Sequence, residues 1–185
     1  MNSLILGMGN TLLSDDAIGI IIKRYLERIL KDVCRTDFRE TSWGGFRIID
    51  LLRGYDFVIV IDSIKTGKSP AGYIHHLNLN DLLPTLRLNS YHDINFITAI
   101  KLAETYNEKM PENIEILAIE VDNTNIIQEQ LSKEISDSIY SCSLEIIKIL
   151  ENKNLLDKNF SLSMLKKIET EEELSRLYAE EEITN

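Results

Sequence analysis

The fold of this chain is decided by residues 4–19, LILGMGNTLLSDDAIG. The segment starts with an apolar run, continues through Gly7 and Gly9, and ends with the acid pair Asp15 and Asp16 before a long amphipathic stretch. Glycines that follow an N-terminal strand are typical of phosphate-binding loops. Two carboxylates at the same place repel phosphate and attract cations. The function of the protein therefore depends on which of these two features dominates.

A dinucleotide-binding loop is the first alternative, and the sequence fits it poorly. Its pattern G-x-G-x-x-G is matched by Gly7 and Gly9, but Leu12 stands at the third glycine position. Asp15 and Asp16 would lie beside the pyrophosphate and cancel the favourable field of the helix N-terminus. The segment therefore favours a cation site over a nucleotide site.

Composition narrows the class of protein further. The chain has 185 residues and a formal net charge of -10, with no basic run, so we expect no nucleic-acid partner and no anionic membrane surface as a partner. The two cysteines form no Cys-x-x-Cys pair, which favours a reducing compartment over a zinc or redox site. The apolar runs are too short to cross a bilayer and no signal-peptide pattern is present, so we expect a soluble, cytoplasmic protein.

Hydrophobic periodicity predicts alternating strands and helices, which is typical of an α/β protein with a largely parallel sheet. We expect a three-layer sandwich around a twisted, mostly parallel central sheet. The strands are predicted at residues 3–8, 33–38, 57–62, 73–79 and 114–121, and the helices at 14–30, 46–52, 92–106 and 127–150, with 82–90 ambiguous.

The composition changes after residue 150, where the chain becomes more acidic. We therefore divide the chain into one α/β domain, residues 1–150, and an acidic extension, residues 151–185. Leucines at helical spacing in the extension indicate a helix that is docked on the core or used as a contact arm. A poorly ordered, solvated tail is the alternative.

Three polar positions are predicted to meet at one edge of the sheet. Open α/β sheets bind ligands at the carboxyl ends of their strands. Asp16 follows the first strand, Asp62 ends the most apolar strand, and His92 begins a later helix. Two carboxylates and an imidazole suit a first-row divalent ion. His75 and His76 are poorer candidates, because neighbours in a strand point to opposite faces.

Four motifs, in order along residues 3–150, resemble those of the hydrogenase maturation proteases, the endopeptidases that process nickel–iron hydrogenases. The motifs are the Gly-x-Gly-Asn segment with its acid pair, the apolar strand ending in Asp62, the segment Ser90-Tyr91-His92-Asp93, and the strand from Pro111 to Glu120. The resemblance implies a compact α/β fold of the phosphorylase/hydrolase-like type. It also implies an endopeptidase that removes a C-terminal peptide from the nickel-loaded precursor of the hydrogenase large subunit.

The resemblance also implies the residues that act in this reaction. Asp16, Asp62 and His92 would recognise nickel carried by the precursor, and Asp15 or Asp93 would hold the attacking water or orient the imidazole. Nickel would bind the isolated protein weakly, because three ligands leave the coordination open.

No conventional catalytic nucleophile is evident in the sequence. G-x-S-x-G, a Cys–His pair and His-Glu-x-x-His are absent, and Cys34 and Cys142 are predicted to lie inside a strand and a helix. For a protease, as the resemblance implies, the reaction would then be aspartic-type and metal-assisted. We expect a monomer when the protein is free, with Trp43 and the loop 64–72 as candidate contacts to the precursor.

Two alternatives from other functional classes remain. A non-catalytic nickel-binding assembly factor for hydrogenase would use the same three side chains. Peptidyl-tRNA hydrolases also begin with Gly-x-Gly-Asn, but they continue with Pro-Gly and bind RNA, whereas this acidic chain continues with Thr11 and Leu12.

Overall fold

A computed structural model describes residues 1–42, 46–78, 96–106, 108–122, 126–157, 165–166 and 170–179. These residues form alternating strands and helices, as the periodicity predicts. The strands are β1 Ser3–Met8, β2 Asp37–Thr41, β3 Phe57–Ile64, β4 Ile74–Asn78 and β5 Asn113–Glu120. The helices are α1 Ile18–Leu30, α2 Arg47–Leu52, α3 Phe96–Thr105, α4 Lys133–Asn152 and α5 Glu171–Ala179, with a 3-10 turn at Ser14–Ala17 before α1.

The described strands form one five-stranded sheet in the order β2-β1-β3-β5-β4. All neighbours are parallel except β4, which runs antiparallel to β5 at one edge. β1 and β3 lie inside the sheet and consist of almost continuous apolar residues, as expected for strands covered on both faces. The predicted mostly parallel α/β sheet is confirmed.

The helices cover the two faces of the sheet and complete the three layers. On one face α1 and α4 pack over residues such as Ile59 and Ile61, and α5 adds Leu174 and Leu177 to the same core. On the other face Ile48 of α2 and Ile100 of α3 pack over Val58 and Val60. Alternate residues of β3 thus enter separate cores, which is the two-residue period of a buried strand.

The close packing of α1 against the sheet depends on Gly19. A Cβ atom placed on Gly19 would lie 2.3 Å from the carbonyl oxygens of both Met8 and Ile61. No other residue allows the first turn of α1 to approach the ends of β1 and β3 so closely. The glycines of this region therefore serve helix–strand packing, and the third glycine is at position 19, where the dinucleotide pattern does not place it.

Several element boundaries differ from the sequence prediction. The second strand is residues 37–41 instead of 33–38, and the long helix begins at Lys133 instead of Ile127. Ile127 is 86% exposed, because its segment bonds to the opening loop: the N–H of Ser14 donates to the carbonyl of Gln128. The helical spacing of Ile127 and Leu131 therefore does not correspond to a helix in this segment.

Two smaller predictions were also wrong. The helix predicted from residue 14 begins only at Ile18, because Ser14 lies in the 3-10 turn at φ 28° and Ala17 is the residue that precedes the helix. Cys34 lies between α1 and β2 in an isolated bridge with Leu156, instead of inside a strand. Cys142 is buried inside α4, as expected, and burial raises the pKa of its thiol.

The described part of the C-terminal extension is packed on α1. Leu174 and Leu177 of α5 are buried against the same core as α1. The guanidinium of Arg24 donates to the carbonyl oxygens of Leu177 and Tyr178 at 2.8 and 2.9 Å, which caps the C-terminal end of α5. The same guanidinium bonds the buried carboxylate of Glu40. The described part of the extension therefore covers the outer face of α1.

Within the described residues, no helix is long and apolar enough to cross a membrane.

Truncating a leucine of α5 tests this docking. We expect Leu177→Ala to lower the free energy of unfolding by about 2–4 kcal/mol, because it leaves a cavity where the side chain is fully buried. Urea denaturation measures the change. The matched control is Ser175→Ala on the exposed side of the same helix, for which we expect less than about 0.5 kcal/mol. Equal effects would contradict a docked helix.

Candidate active site

The opening loop is built so that Asp16 lies over the end of the sheet. Gly9 has a φ of 143°, and a Cβ there would be 2.0 Å from the carbonyl oxygen of Asp16. Only glycine permits both the conformation and the contact. Asn10 stabilises the turn that follows, since its side-chain oxygen accepts the N–H of Leu12 at 3.0 Å. The conformation of residues 9–16 thus fixes where the acid pair stands.

Asp16 and Asp62 are joined through a single residue, Ser63. The hydroxyl of Ser63 donates to Oδ1 of Asp16 at 2.8 Å, and its backbone N–H donates to Oδ1 of Asp62 at 2.8 Å. Asp62 lies in β3, which continues to Ile64 beyond the predicted end of the strand. The structure therefore brings together two of the three predicted metal-site residues at the carboxyl end of the central strands.

The Asp16 carboxyl is partly buried, and its environment disfavours the ionised form. Burial raises the pKa of Asp16 above its ordinary value, while hydrogen bonds from Ser63 and from the backbone of Asn10 partly offset that rise. A carboxylate that has lost part of its water gains more from a nearby cation than an exposed one. A perturbed acid at a sheet edge is typical of a functional site.

His92 and Asp93 lie outside the described residues, as do Trp43 and the whole of the ambiguous stretch 82–90. α3, which follows His92, begins at Phe96. The described residues contain no group of three or more acids, histidines or cysteines placed to hold a metal ion. Asp16 and Asp62 thus place two carboxylates at this end of the sheet, and the role of Asp16, Asp62 and His92 as metal ligands stays a prediction from the sequence.

Asp15 faces away from Asp16 and contacts the start of α4. It is 5% exposed, and its Oδ1 accepts the backbone N–H of Ser132, the residue that precedes α4, at 2.7 Å. This bond supplies an acceptor and a negative charge to the N-terminal end of the helix. The two members of the acid pair thus have different surroundings, which adjacent positions in a sequence cannot reveal.

The two neighbouring histidines of β4 bond different carboxylates. Nε2 of His75 lies 2.8 Å from Oε2 of Glu120, and Nε2 of His76 lies 3.1 Å from Oε2 of Glu115. Glu115 and Glu120 are on opposite faces of β5, because they are an odd number of residues apart. The prediction that these histidines cannot share one metal ion agrees with this geometry.

The sequence interpretation gave no role to three residues near this edge: Ser63, Glu120 and Glu40. Burial would raise the pKa of Glu40, but bonds from Arg24 and Lys23 prevail and lower it. Burial acts in the same way on Glu120, and hydrogen bonds from Thr66, Gly67 and His75 lower its pKa. Of these three residues, only Ser63 could have been identified from the sequence, because it directly follows Asp62.

Several solved structures share the fold of this chain. A solution structure of an endopeptidase from Escherichia coli is similar with a TM-score of 0.71 and 22% identity over 87% of this chain and 100% of that one. The hydrogenase maturating endopeptidase HybD from E. coli is similar with a TM-score of 0.67 and 19% identity, over 83% of this chain and 94% of that one. HybD from Thermococcus kodakarensis, a [NiFe] hydrogenase maturation protease, is similar with a TM-score of 0.59 and 23% identity, over 81% of this chain and 99% of that one.

The HycI model, hydrogenase maturation protease, matches residues 22–149. The chain therefore belongs to the hydrogenase maturation protease family and is a peptidase of hydrogenase maturation. A search of curated protein sequences finds no match. The family named from the motifs is thus confirmed, while the dinucleotide-binding and peptidyl-tRNA hydrolase alternatives fall outside it.

The raised pKa of Asp16 predicts how its removal affects stability. An acid whose pKa is higher in the folded state favours folding while it is protonated and loses that contribution as the pH rises through its folded pKa. We therefore expect Asp16→Asn to be at least as stable as the wild type at pH 7, with the advantage shrinking towards pH 4. Chemical denaturation at both pH values measures this.

The control for Asp16→Asn is Asp50→Asn on the exposed surface of α2, which should change stability little at either pH. A loss of stability at pH 7 that is specific to Asp16→Asn would mean that the ionised carboxylate stabilises the fold.

A second prediction separates Asp15 from Asp16. We expect Asp15→Ala to lower the free energy of unfolding by about 1–3 kcal/mol, because the partly buried N–H of Ser132 loses its acceptor. Asp15→Asn keeps an acceptor oxygen and should retain most of the stability. Thermal or urea unfolding distinguishes the two variants, and an Asp15→Ala protein as stable as Asp15→Asn would refute the capping role.

Proposed function

We propose that this peptidase removes a C-terminal peptide from the nickel-loaded precursor of a nickel–iron hydrogenase large subunit. The observation that carries the proposal is the pair Asp16 and Asp62, held by Ser63 at the carboxyl end of the central strands. Family membership supplies the reaction class. The nickel is substrate in this proposal: it arrives on the cysteines of the precursor and is recognised by the protease.

The two carboxylates suit the recognition of a metal that already has ligands. Oxygen ligands from Asp16 and Asp62, with the imidazole of His92, would occupy positions that the precursor leaves open. Three ligands bind a free ion weakly, so a nickel-free precursor would lack a main attachment point. Selection for loaded subunits then follows from the chemistry of binding and needs no separate sensor.

The proposed chemistry is hydrolysis without a nucleophilic side chain. A cation beside the scissile bond polarises the carbonyl or lowers the pKa of a bound water. The protein's part is to hold two carboxylates near that bond. Ser63 restricts the rotation of both side chains, since each accepts one of its hydrogen bonds. Cys142 is buried with a raised thiol pKa, so it is a poor nucleophile.

The central experiment is processing of a hydrogenase large-subunit precursor, with and without nickel, followed by mass spectrometry. We expect loss of a short C-terminal peptide from the loaded precursor alone. Asp62→Asn should reduce the rate at least about 100-fold while preserving the acceptor for the N–H of Ser63. His92→Ala should show the same loss, and Asp50→Asn serves as the surface control.

Each other outcome has a distinct meaning. Cleavage of both precursor forms would keep the protease and reject nickel recognition. Full cleavage by Asp62→Asn would reject the site. Nickel-dependent binding of the precursor without any cleavage would favour the alternative, a non-catalytic assembly factor that uses the same carboxylates for docking.

A further inference from the structure

Three aliphatic side chains are exposed where the segment after β5 meets the opening loop. Ile127 is 86% exposed, Leu12 56% and Ile126 45%. The other strongly exposed large apolar residues in the part of the chain that the structure describes come one each from five separate segments: Met1, Val33, Phe46, Tyr73 and Tyr106. Single exposed apolar residues are ordinary on a protein surface, whereas several at one place mark an interaction site.

Backbone hydrogen bonds hold these side chains in place. The N–H of Gln128 donates to the carbonyl of Leu12 at 3.1 Å, and the N–H of Ser14 donates to the carbonyl of Gln128 at 2.8 Å. Leu13 and Ile127 pair in an antiparallel bridge. The two segments thus form a short ribbon, and we call its exposed residues Leu12, Ile126 and Ile127 the aliphatic ridge. Because the backbone is already ordered, binding to the ridge costs little conformational entropy.

The aliphatic ridge lies beside Asp16. The N–H of Asp16 donates to the carbonyl of Leu13 at 2.9 Å, a turn that keeps their Cα atoms within about 7 Å. The paired Cα atoms of Leu13 and Ile127 are about 5 Å apart. Ile127 is therefore within about 12 Å of Asp16, a distance that an extended peptide covers in about three or four residues. A protein cut beside Asp16 can reach the ridge with residues close to the cut bond.

Charge and area argue against two other occupants of the ridge. Asp122 and Glu129 are exposed in the same segment, and the chain has a formal net charge of -10, so an anionic membrane surface is repelled. A stable dimer buries about 800 Å² on each partner. Three aliphatic side chains, at roughly 100 Å² each, supply less than half of that area. A substrate that is also held at the acid pair needs only such an additional contact.

We propose that the aliphatic ridge is a docking contact for the hydrogenase precursor. It takes apolar side chains of the precursor about three or four residues from the cleaved bond, and Ile127 is its central residue. Glu129 beside it favours a lysine or arginine in the same part of the precursor. The assignment rests on the proposed function, because it takes Asp16 as lying beside the cleaved bond. The contact is made with the polypeptide and not with the nickel.

The test uses the substitution Ile127→Ser. It removes the apolar surface at a position where the fold buries almost nothing, so the protein should remain as stable as the wild type. Ile127→Leu keeps an aliphatic side chain and serves as the conservative variant. The matched control is Val33→Ser, which changes an exposed aliphatic residue in the turn before β2, at the opposite end of the parallel strands. Thermal melts check that all variants are folded.

We expect Ile127→Ser to raise the Kd for labelled, nickel-loaded precursor about tenfold in fluorescence anisotropy, because an apolar contact is lost. In processing assays KM should rise by a similar factor, with kcat changed less than twofold. Ile127→Leu and Val33→Ser should match the wild type. Wild-type binding by Ile127→Ser would overturn the assignment, and so would an equal loss of binding by Val33→Ser.

Binding and cleavage together separate this inference from the proposed function. Weaker binding by Ile127→Ser, with no cleavage by the wild type, would support the contact and reject the protease reaction on this precursor. Unchanged binding by Ile127→Ser, with active wild-type cleavage, would reject the contact and keep the protease. A precursor that the wild type neither binds nor cleaves would reject both.

Sedimentation of the free protein tests a second copy as the occupant. A wild-type dimer that Ile127→Ser converts to a monomer, with binding of the precursor unchanged, would assign the aliphatic ridge to self-association and overturn the proposal. We expect the same sedimentation coefficient for the wild type and for Ile127→Ser.

Discussion

The site depends on the close contact between the first turn of α1 and the carboxyl ends of β1 and β3. Gly19 makes this contact possible, since any side chain would overlap the carbonyls of Met8 and Ile61. Gly9 makes the matching contact with the backbone of Asp16 in the preceding loop. These two glycines set the position of Asp16, whose Oδ1 accepts a hydrogen bond from the hydroxyl of Ser63 at 2.8 Å. The glycines of the motif therefore fix the geometry of the site, and the chemistry depends on that geometry.

Much of the fold follows from local sequence patterns, and so does part of the site. β1, β3 and β5 are apolar enough to be recognised as buried strands. Because Asp62 lies near the carboxyl end of β3 and Asp16 follows β1, the sequence predicts that the two acids are close together. Contacts between distant segments could not be derived in this way. The bonds of residues 127–130 to the opening loop replaced a helical turn that the spacing favoured. The opposite orientations of Asp15 and Asp16 likewise depend on where Ser132 lies.

Burial affects the acids of this chain differently according to the donors around them. Glu40 and Glu120 are more deeply buried than Asp16, yet strong or numerous donors lower their pKa. Asp16 has fewer donors, and burial prevails. The carboxylates of Glu40 and Glu120, which hold elements of the fold together, thus have strong or numerous donors, whereas Asp16 at the carboxyl end of the strands has fewer. Such a group gains more free energy when a cation approaches than a fully bonded carboxylate does.

The docking of α5 on α1 has a consequence for the order of folding during synthesis. Arg24 bonds the carbonyl of Leu177, and 153 positions separate the two residues. Chains leave the ribosome from the N-terminus at a few residues per second or faster. The outer face of α1 is therefore covered only after nearly the whole chain has been synthesised. Until then the ion pair of Arg24 and Glu40, which is buried in the complete fold, is accessible to water. The nascent chain also exposes an apolar surface that chaperones can bind.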